Sequence, residues 1–329
     1  MPYLLRRLAF YLVAAWVAIT ANFFIPRLMP GNAVQAIMGK FPGTLKPAAY
    51  QAIAAMLGVG HQGSLWHQYV TYLDNVVHFN FGTDVIQYPA SVSSVLGASV
   101  WWTLTLVGVA TIIAFALGTG LGILAGWRAG GWLDRSLPGL MFLQAIPYFF
   151  LALLIVEVFA LSLNWFPPSG GYDGASVSPG LNWAFASNAV DYSFLPALTI
   201  VLTSVAGWML QMRNVMVTTI GEDFVVAGQA KGLSDRRVIF TYAARNALLP
   251  QLQGFGLAIG FVISGALVME IVFSYPGIGL LLVNAVNSSD YPLMQAIFLL
   301  ITFTVLIANL VIDLILVLFD PRVRAREAR

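Results

Sequence analysis

Six stretches of about 20 predominantly apolar residues dominate the sequence, and each is long enough to cross a hydrocarbon core of roughly 30 Å as an α-helix. They fall near residues 5–28, 100–126, 136–163, 194–212, 252–272 and 293–319. Lipid offers no water to bare N–H and C=O groups, so only helices and closed β-barrels can span it. Barrel strands would read as segments of about 10 residues with alternating polarity, and that pattern is missing. The expected fold class is therefore an all-α integral membrane protein with about six transmembrane helices. Composition agrees: 59% of the 329 residues are hydrophobic and 9% are charged, against about 25% charged in soluble domains.

Basic residues give the expected orientation, because lysine and arginine accumulate on the cytoplasmic side. Arg6 and Arg7 precede the first span, and Arg128 and Arg135 separate the second from the third. Arg213, Lys231, Arg236, Arg237 and Arg245 lie between the fourth and fifth, and Arg322, Arg324, Arg326 and Arg329 follow the sixth. These thirteen share one side, while only Arg27, Lys40 and Lys46 fall on the other. Both termini are expected in the cytoplasm. The first apolar run continues through Trp16 and Asn22 without a clean small-residue cleavage site, so it reads as a retained helix. The chain divides into an N-terminal helix (1–29), an extracytoplasmic segment (30–99) and a five-helix core (100–329) holding a cytoplasmic loop, 213–251. The outer segment has helical patterns at Ala48–Leu57 and Trp66–Phe79, and residues 164–193 read as an irregular loop rich in Gly, Ser, Pro and Asn.

Several chemistries are missing from the sequence. It contains no cysteine, no G-x-x-x-x-G-K-[ST] phosphate loop and no H-E-x-x-H metal motif. The histidines His61, His67 and His78 all lie in the outer segment and read as surface residues, so no metal site is expected. Glu157, Glu270 and Asp313 are acidic residues in or near spans, where an ionisable group is costly and so a functional candidate. Gly118, Gly122 and Gly126 recur at a spacing of four and share a helix face that lets another helix approach closely. Pro138 and Pro147 flank the start of the third span as kink or start positions.

The cytoplasmic loop is the most informative stretch. From Glu222 to Lys231 the sequence suits a short helix, with Glu222 and Asp223 opening it and Gly232 ending it. Ser234 is placed to cap a second helix running to about Leu248, with Pro250 near the start of the fifth span. Small residues, Ala227, Gly228 and Ala230, would give the first helix a surface that a partner's groove can grip.

The run AGQAKGLSDRRV…RNALLP in this loop resembles the cytoplasmic signature of permeases from binding-protein-dependent ABC importers, in the branch that imports dipeptides and oligopeptides. LMPGNAV at 28–34, WHQYVTYL at 66–73, EIVFSYPGIGLLLVNAV at 270–286, DYPLMQA at 290–296 and NLVIDLILVLFDPRVR at 309–324 are similar to the same branch, in order. Two positions depart from it: Val226 stands where the wider signature has glutamate, and HFNFG, with Gly82, replaces a Gly-Asp-Leu-Gly element. The resemblance implies the architecture of a type I importer permease in the inner membrane of a prokaryote. It implies a second, homologous permease subunit, two P-loop ATPase subunits that hold ATP and Mg, and an extracytoplasmic substrate-binding protein. The chain itself would bind no cofactor, perform no bond chemistry, and contact lipid but no nucleic acid. Glu222, Asp223, Ala227, Gly228, Ala230, Lys231, Gly232 and Leu233 would couple it to an ATPase. Glu270, Ser274, Pro276, Gly277 and Gly279 would shape a gate or the docking surface for the binding protein.

Three other readings compete. Members of the same branch carry oligosaccharides or nickel. An ion-coupled carrier would need inverted repeats and helices broken at mid-membrane, and neither is evident in the sequence. An intramembrane enzyme would need a convergent nucleophile–base or metal set in the spans, and none is present.

Overall fold

The computed structural model describes residues 2–28, 64–84, 87, 89–260, 262 and 267–319. The helical pattern expected at Ala48–Leu57, His61 and the basic tail from Arg322 lie outside the described residues. Among the described residues, four helices are long and apolar enough to cross a membrane, or five if one sharply bent pair counts as a span. The protein is a helical, multi-pass membrane protein. The chain divides into two compact units, residues 1–103 with 276–329, and residues 104–275.

In the first unit, helix Pro2–Leu28 packs along helix Tyr291–Phe319. The spans 5–28 and 293–319 fall on these two helices. A polar pair, the buried Asn22 and the half-buried Gln295, joins them. The Asn22 side-chain amide donates to the Gln295 carbonyl at 2.9 Å, and the Gln295 amide donates back to the Asn22 carbonyl at 3.2 Å. In lipid such groups have no water to return to, so they bind helices together. Helix Leu65–Val77 opens at Ser64, whose hydroxyl accepts the His67 N–H. It sets Tyr69 and Tyr72 around the buried Phe23 ring.

The second unit holds the remainder of helix Val92–Trp127 and most of the basic loop. Helix Trp183–Ile220 has 38 residues. At 1.5 Å per residue that is about 57 Å, far more than a bilayer core, so the expected span 194–212 is only its central part. Asn182 caps its start by accepting the Phe185 N–H at 2.8 Å. The preceding loop is tied down by the stacked rings of Phe166 and Phe194 and by the Asn188 side chain accepting the Asp173 N–H. The Ser176 hydroxyl and the Ala175 N–H hold the half-buried Asp173 carboxyl below its usual range.

Two expectations are corrected here. The span 136–163 is not one straight helix: Trp132–Ala145 and the segment Tyr148–Ser162 meet at 91°. Pro147 causes the break. It offers no N–H, and its ring drives Ile146 to extended backbone at ψ 127°. Pro138, by contrast, sits within the first of these helices. A broken helix is thus present, although the sequence did not show it. The second correction concerns the loop. No helix ends near Leu248. A π-helical stretch, Val238–Ala243, runs directly into helix Ala244–Gly260, which continues through Pro250. The expected span 252–272 begins in the middle of that helix, and its last residues fall on helix Leu267–Val272.

Candidate functional site

The coupling candidate is a single short helix, Asp223–Ala230, held against the end of the long helix Trp183–Ile220. The Glu222 carbonyl starts it by accepting the Val225 and Val226 N–H groups, at 2.9 and 3.2 Å. Asp223 lies in the first turn, where a carboxylate meets the positive end of the helix dipole. Lys231 caps the other end, and Gly232 follows at φ +71°. Only a residue without Cβ enters that left-handed region at no steric cost, which makes Gly232 the local stop.

Helix geometry then decides which residues face a partner. Val225 is fully buried, in a cluster with Met212 and Met216 of the long helix and Val238, Ile239 and Ala243 of the π-helical stretch. Leu233 packs against the same cluster. Gly228 is buried too, and a Cβ there would lie 3.7 Å from the Tyr242 ring. This corrects the expectation that Gly228 is offered to a partner: it lets the helix sit on Tyr242. The outward face carries Glu222, Asp223, Ala227, Ala230 and Lys231 together with Phe224 and Val226. Sequence reasoning passed over these last two. The signal was in the run Phe224–Val225–Val226, since three successive apolar residues span about 200° of a helix and cannot all face inward. Phe224 and Val226 leave two large apolar side chains exposed on this short helix.

The three glycines of the 118–126 face lie against helix Trp183–Ile220. A Cβ on Gly118 would stand 2.5 Å from Trp208 Cβ and 2.7 Å from the Val205 carbonyl oxygen. On Gly122 it would stand 2.6 Å from both the Met209 carbonyl oxygen and Met212 Cβ, and on Gly126 2.5 Å from Met216 Cβ. Met212 and Met216 also line the Val225 cluster. The short helix Asp223–Ala230 therefore rests on side chains of the same long helix that closes on the glycines.

One pairing was not legible in the sequence. Arg213 Nε donates to Asp134 Oδ1 at 2.8 Å and Arg213 Nη2 donates to Asp134 Oδ2 at 3.1 Å, the two-pronged geometry that makes such pairs strong. The Gly130 N–H adds a third bond to the carboxylate at 2.7 Å. Arg213 had counted only as an orienting charge. The partners are 79 residues apart, and no spacing rule connects them.

The gate candidates are divided between the units. Glu270 is fully buried in helix Leu267–Val272, and its carbonyl accepts the Tyr275 N–H at 2.8 Å. Ser274 is exposed and left-handed at φ +46°. Tyr275 shares a 3.0 Å hydrogen bond with Ser193, and the Phe273 carbonyl accepts the Gly170 N–H at 2.8 Å. Pro276 begins the other unit. There Gly277 caps helix Ile278–Asn287, Gly279 is buried, and the Ile278 N–H donates to Thr103 Oγ1 at 2.8 Å. Glu157 is exposed within the π-helical stretch Val156–Ser162. His67 and His78 are both exposed, and His78 Nδ1 lies 3.4 Å from Asp74 Oδ1. Among the described residues, no group of three or more His, Cys, Asp or Glu side chains could hold a metal ion.

Long apolar helices, a glycine seam and a short helix packed on Met212 and Met216 of the same long helix define a multi-pass membrane protein. Residues 118–325 match the family model of the binding-protein-dependent transport system inner membrane component, and the chain belongs to that family. It is 30% identical to the di/tripeptide transport system permease protein DppB of Pseudomonas aeruginosa, over 98% of this chain and 99% of that protein. It is 32% identical to the oligopeptide transport system permease protein AppB of Bacillus subtilis, over 78% of this chain and 79% of that one. With the dipeptide transport system permease protein DppB of Escherichia coli K12 it shares 28% identity, over 99% of this chain and 100% of that one.

Proposed function

We propose that this chain is the permease subunit of an ATP-driven importer of di- and oligopeptides in the inner membrane of a prokaryote, with both termini in the cytoplasm. The similarity, over 78% to 99% of this chain, to permeases named for di-, tri- and oligopeptide transport carries this reading. A second homologous permease completes the channel, an extracytoplasmic binding protein delivers substrate, and two P-loop ATPase subunits hold ATP and Mg. The chain contributes no bond chemistry. Its task is to exchange inward- and outward-facing arrangements, and ATP on the partners biases that equilibrium by binding the two arrangements differently. Residues 222–233 receive that bias through the outward face of the short helix and pass it inward through Val225 to Met212 and Met216. Residues 270–279 serve the gate or the docking of the binding protein, with the buried Glu270 as the anchor.

Uptake by the complete complex in proteoliposomes tests the substrate class. Labelled dialanine should accumulate only with ATP inside and binding protein outside, and a protonophore should leave the initial rate unchanged. Uptake of maltotriose or Ni2+ in place of peptide, or uptake that collapses with the proton gradient while ATP persists, would overturn the reading. Orientation has its own test, made clean by the absence of cysteine from this chain. In intact cells an impermeant thiol reagent should label Ser176→Cys and spare Ser234→Cys; the reverse pattern would invert the topology.

A further inference from the structure

We infer that helix Leu65–Val77 lies along the membrane–water interface, with an apolar stripe of its surface immersed in lipid. The inference requires that the chain is a membrane protein, and it does not depend on the substrate.

The helix is attached at a known depth. Its Tyr69 hydroxyl shares a 2.7 Å hydrogen bond with Thr20 Oγ1, and its Tyr72 hydroxyl accepts from the Asn22 side chain at 3.1 Å. Both tyrosine rings lie on Phe23, with centroids 5.1 and 5.5 Å away. Thr20, Asn22 and Phe23 belong to the last turns of the first span, whose apolar window runs from Arg6 to Ile25. From Thr20 to Ile25 the rise is about 8 Å. The short helix is thus fixed where the hydrocarbon gives way to headgroups at the far end of that span.

One flank of the helix, beside the tyrosine face, is exposed yet apolar, and its Trp66 ring reaches that of Tyr69 at 6.1 Å. Trp66, Val70 and Val77 recur at intervals of four and seven and so share a face. They are 72%, 46% and 72% exposed, and Phe79, just past the helix end, is 75% exposed. Asp74, His67 and Thr71 occupy the adjoining sector, also exposed. A helix whose apolar side carries tryptophan beside a polar sector is a form that settles in the headgroup boundary, and tryptophan concentrates at that level. In water the stripe would leave three large apolar side chains uncovered; at this depth acyl chains cover them. The first span presents a similar surface, with Phe10, Val13, Trp16 and Val17 all more than half exposed. The lipid-facing surface therefore continues from the span onto the short helix. Seated this way, the helix fixes the height at which the chain leaves through the left-handed positions Phe79 and Gly82, at φ +53° and +81°.

Site-directed spin labelling reads this directly. The assembled transporter would be reconstituted in phosphatidylethanolamine–phosphatidylglycerol vesicles with partner cysteines replaced. Single variants Trp66→Cys, Val70→Cys, Thr71→Cys and Val77→Cys would then be labelled. For the stripe positions, collision with oxygen should exceed collision with a water-soluble nickel chelate, giving a positive logarithm of their ratio; Thr71→Cys should give a negative one. Val70→Cys and Val77→Cys are mild changes on an exposed face, so folding is retained if Trp66→Cys fails to assemble. A negative value at all four positions places the stripe in water and overturns the inference. So does immobilisation with both reagents excluded, which would mean that protein covers the stripe, whether another part of this chain or the added binding protein.

Discussion

Gly122→Leu is expected to destroy the assembled transporter, while Gly120→Leu, two residues away on the same helix, is tolerated. The Cβ of any residue at 122 would meet the Met209 carbonyl oxygen and Met212 Cβ, both at 2.6 Å. Neither atom can turn aside by a rotamer change, because one is backbone and the other is fixed to it. The helices must therefore separate, and the packing of Met209 and Met212 goes with them. Overpacking an ordinary core costs about 1–3 kcal/mol, and the upper end applies where backbone is the obstacle. About 3 kcal/mol changes a folded population more than a hundredfold. A Cβ at the exposed Gly120 meets nothing within 4 Å. Fluorescence-detected size-exclusion of the solubilised complex measures the difference: the 122 variant should lose the assembled peak and the 120 variant should keep it. Equal profiles would show that the close approach of the two helices is dispensable. Gly118→Leu and Gly126→Leu should follow Gly122→Leu, since each faces a Cβ at 2.5 Å.

Gly232→Val and Ala227→Trp are expected to leave the permease inserted and assembled with its homologous partner, yet to lower ATP-driven uptake at least tenfold. The two act on different atoms. Gly232 holds φ +71°, where an L-residue is disfavoured by about 1–2 kcal/mol and a β-branched one most of all. A Cβ there meets nothing within 4 Å, so the replacement acts through the backbone at the end of the short helix. Ala227 lies on the outward face, so a tryptophan there costs the free permease little and meets its obstacle only in the partner's groove. ATPase retention in detergent and stimulation of hydrolysis by loaded binding protein are the readouts. Either the ATPase should dissociate or stimulation should disappear. Wild-type uptake with normal stimulation in both variants would remove residues 222–233 from the coupling role. Gly228→Ala is the inward control: its Cβ makes an ordinary 3.7 Å contact with Tyr242, and coupling should survive it.

Features set by short-range chemistry were legible from the residues alone. The first and last spans were drawn at 5–28 and 293–319, and the helices run Pro2–Leu28 and Tyr291–Phe319. In lipid a helix satisfies its own backbone, so an apolar run of the right length is enough to specify it. The short loop helix was equally local: acidic residues at its start and a glycine after its end place it at Asp223–Ala230. The spacing of Gly118, Gly122 and Gly126 defined a face, because periodicity of four is a property of one helix.

Tertiary structure decided what those local signals meet. Pro147 was visible as a kink position, but the 91° turn depends on what each half of the broken helix packs against. The helix through Pro250 was invisible for the converse reason: a proline reads as a boundary, and only packing on the long helix Trp183–Ile220 keeps the chain helical through it. Gly228 turned inward and Phe224 and Val226 outward because Tyr242 and Met216 occupy one side of the short helix. The Arg213–Asp134 pair, the glycine seam's partner and the attachment of helix Leu65–Val77 to Thr20 and Asn22 all join residues far apart in sequence. The sequence by itself determined which segments are helical and which faces are apolar, since hydrogen bonding and burial act within a few residues. Which helix lies against which face was decided by tertiary structure alone, because close packing depends on the shapes of two surfaces at once.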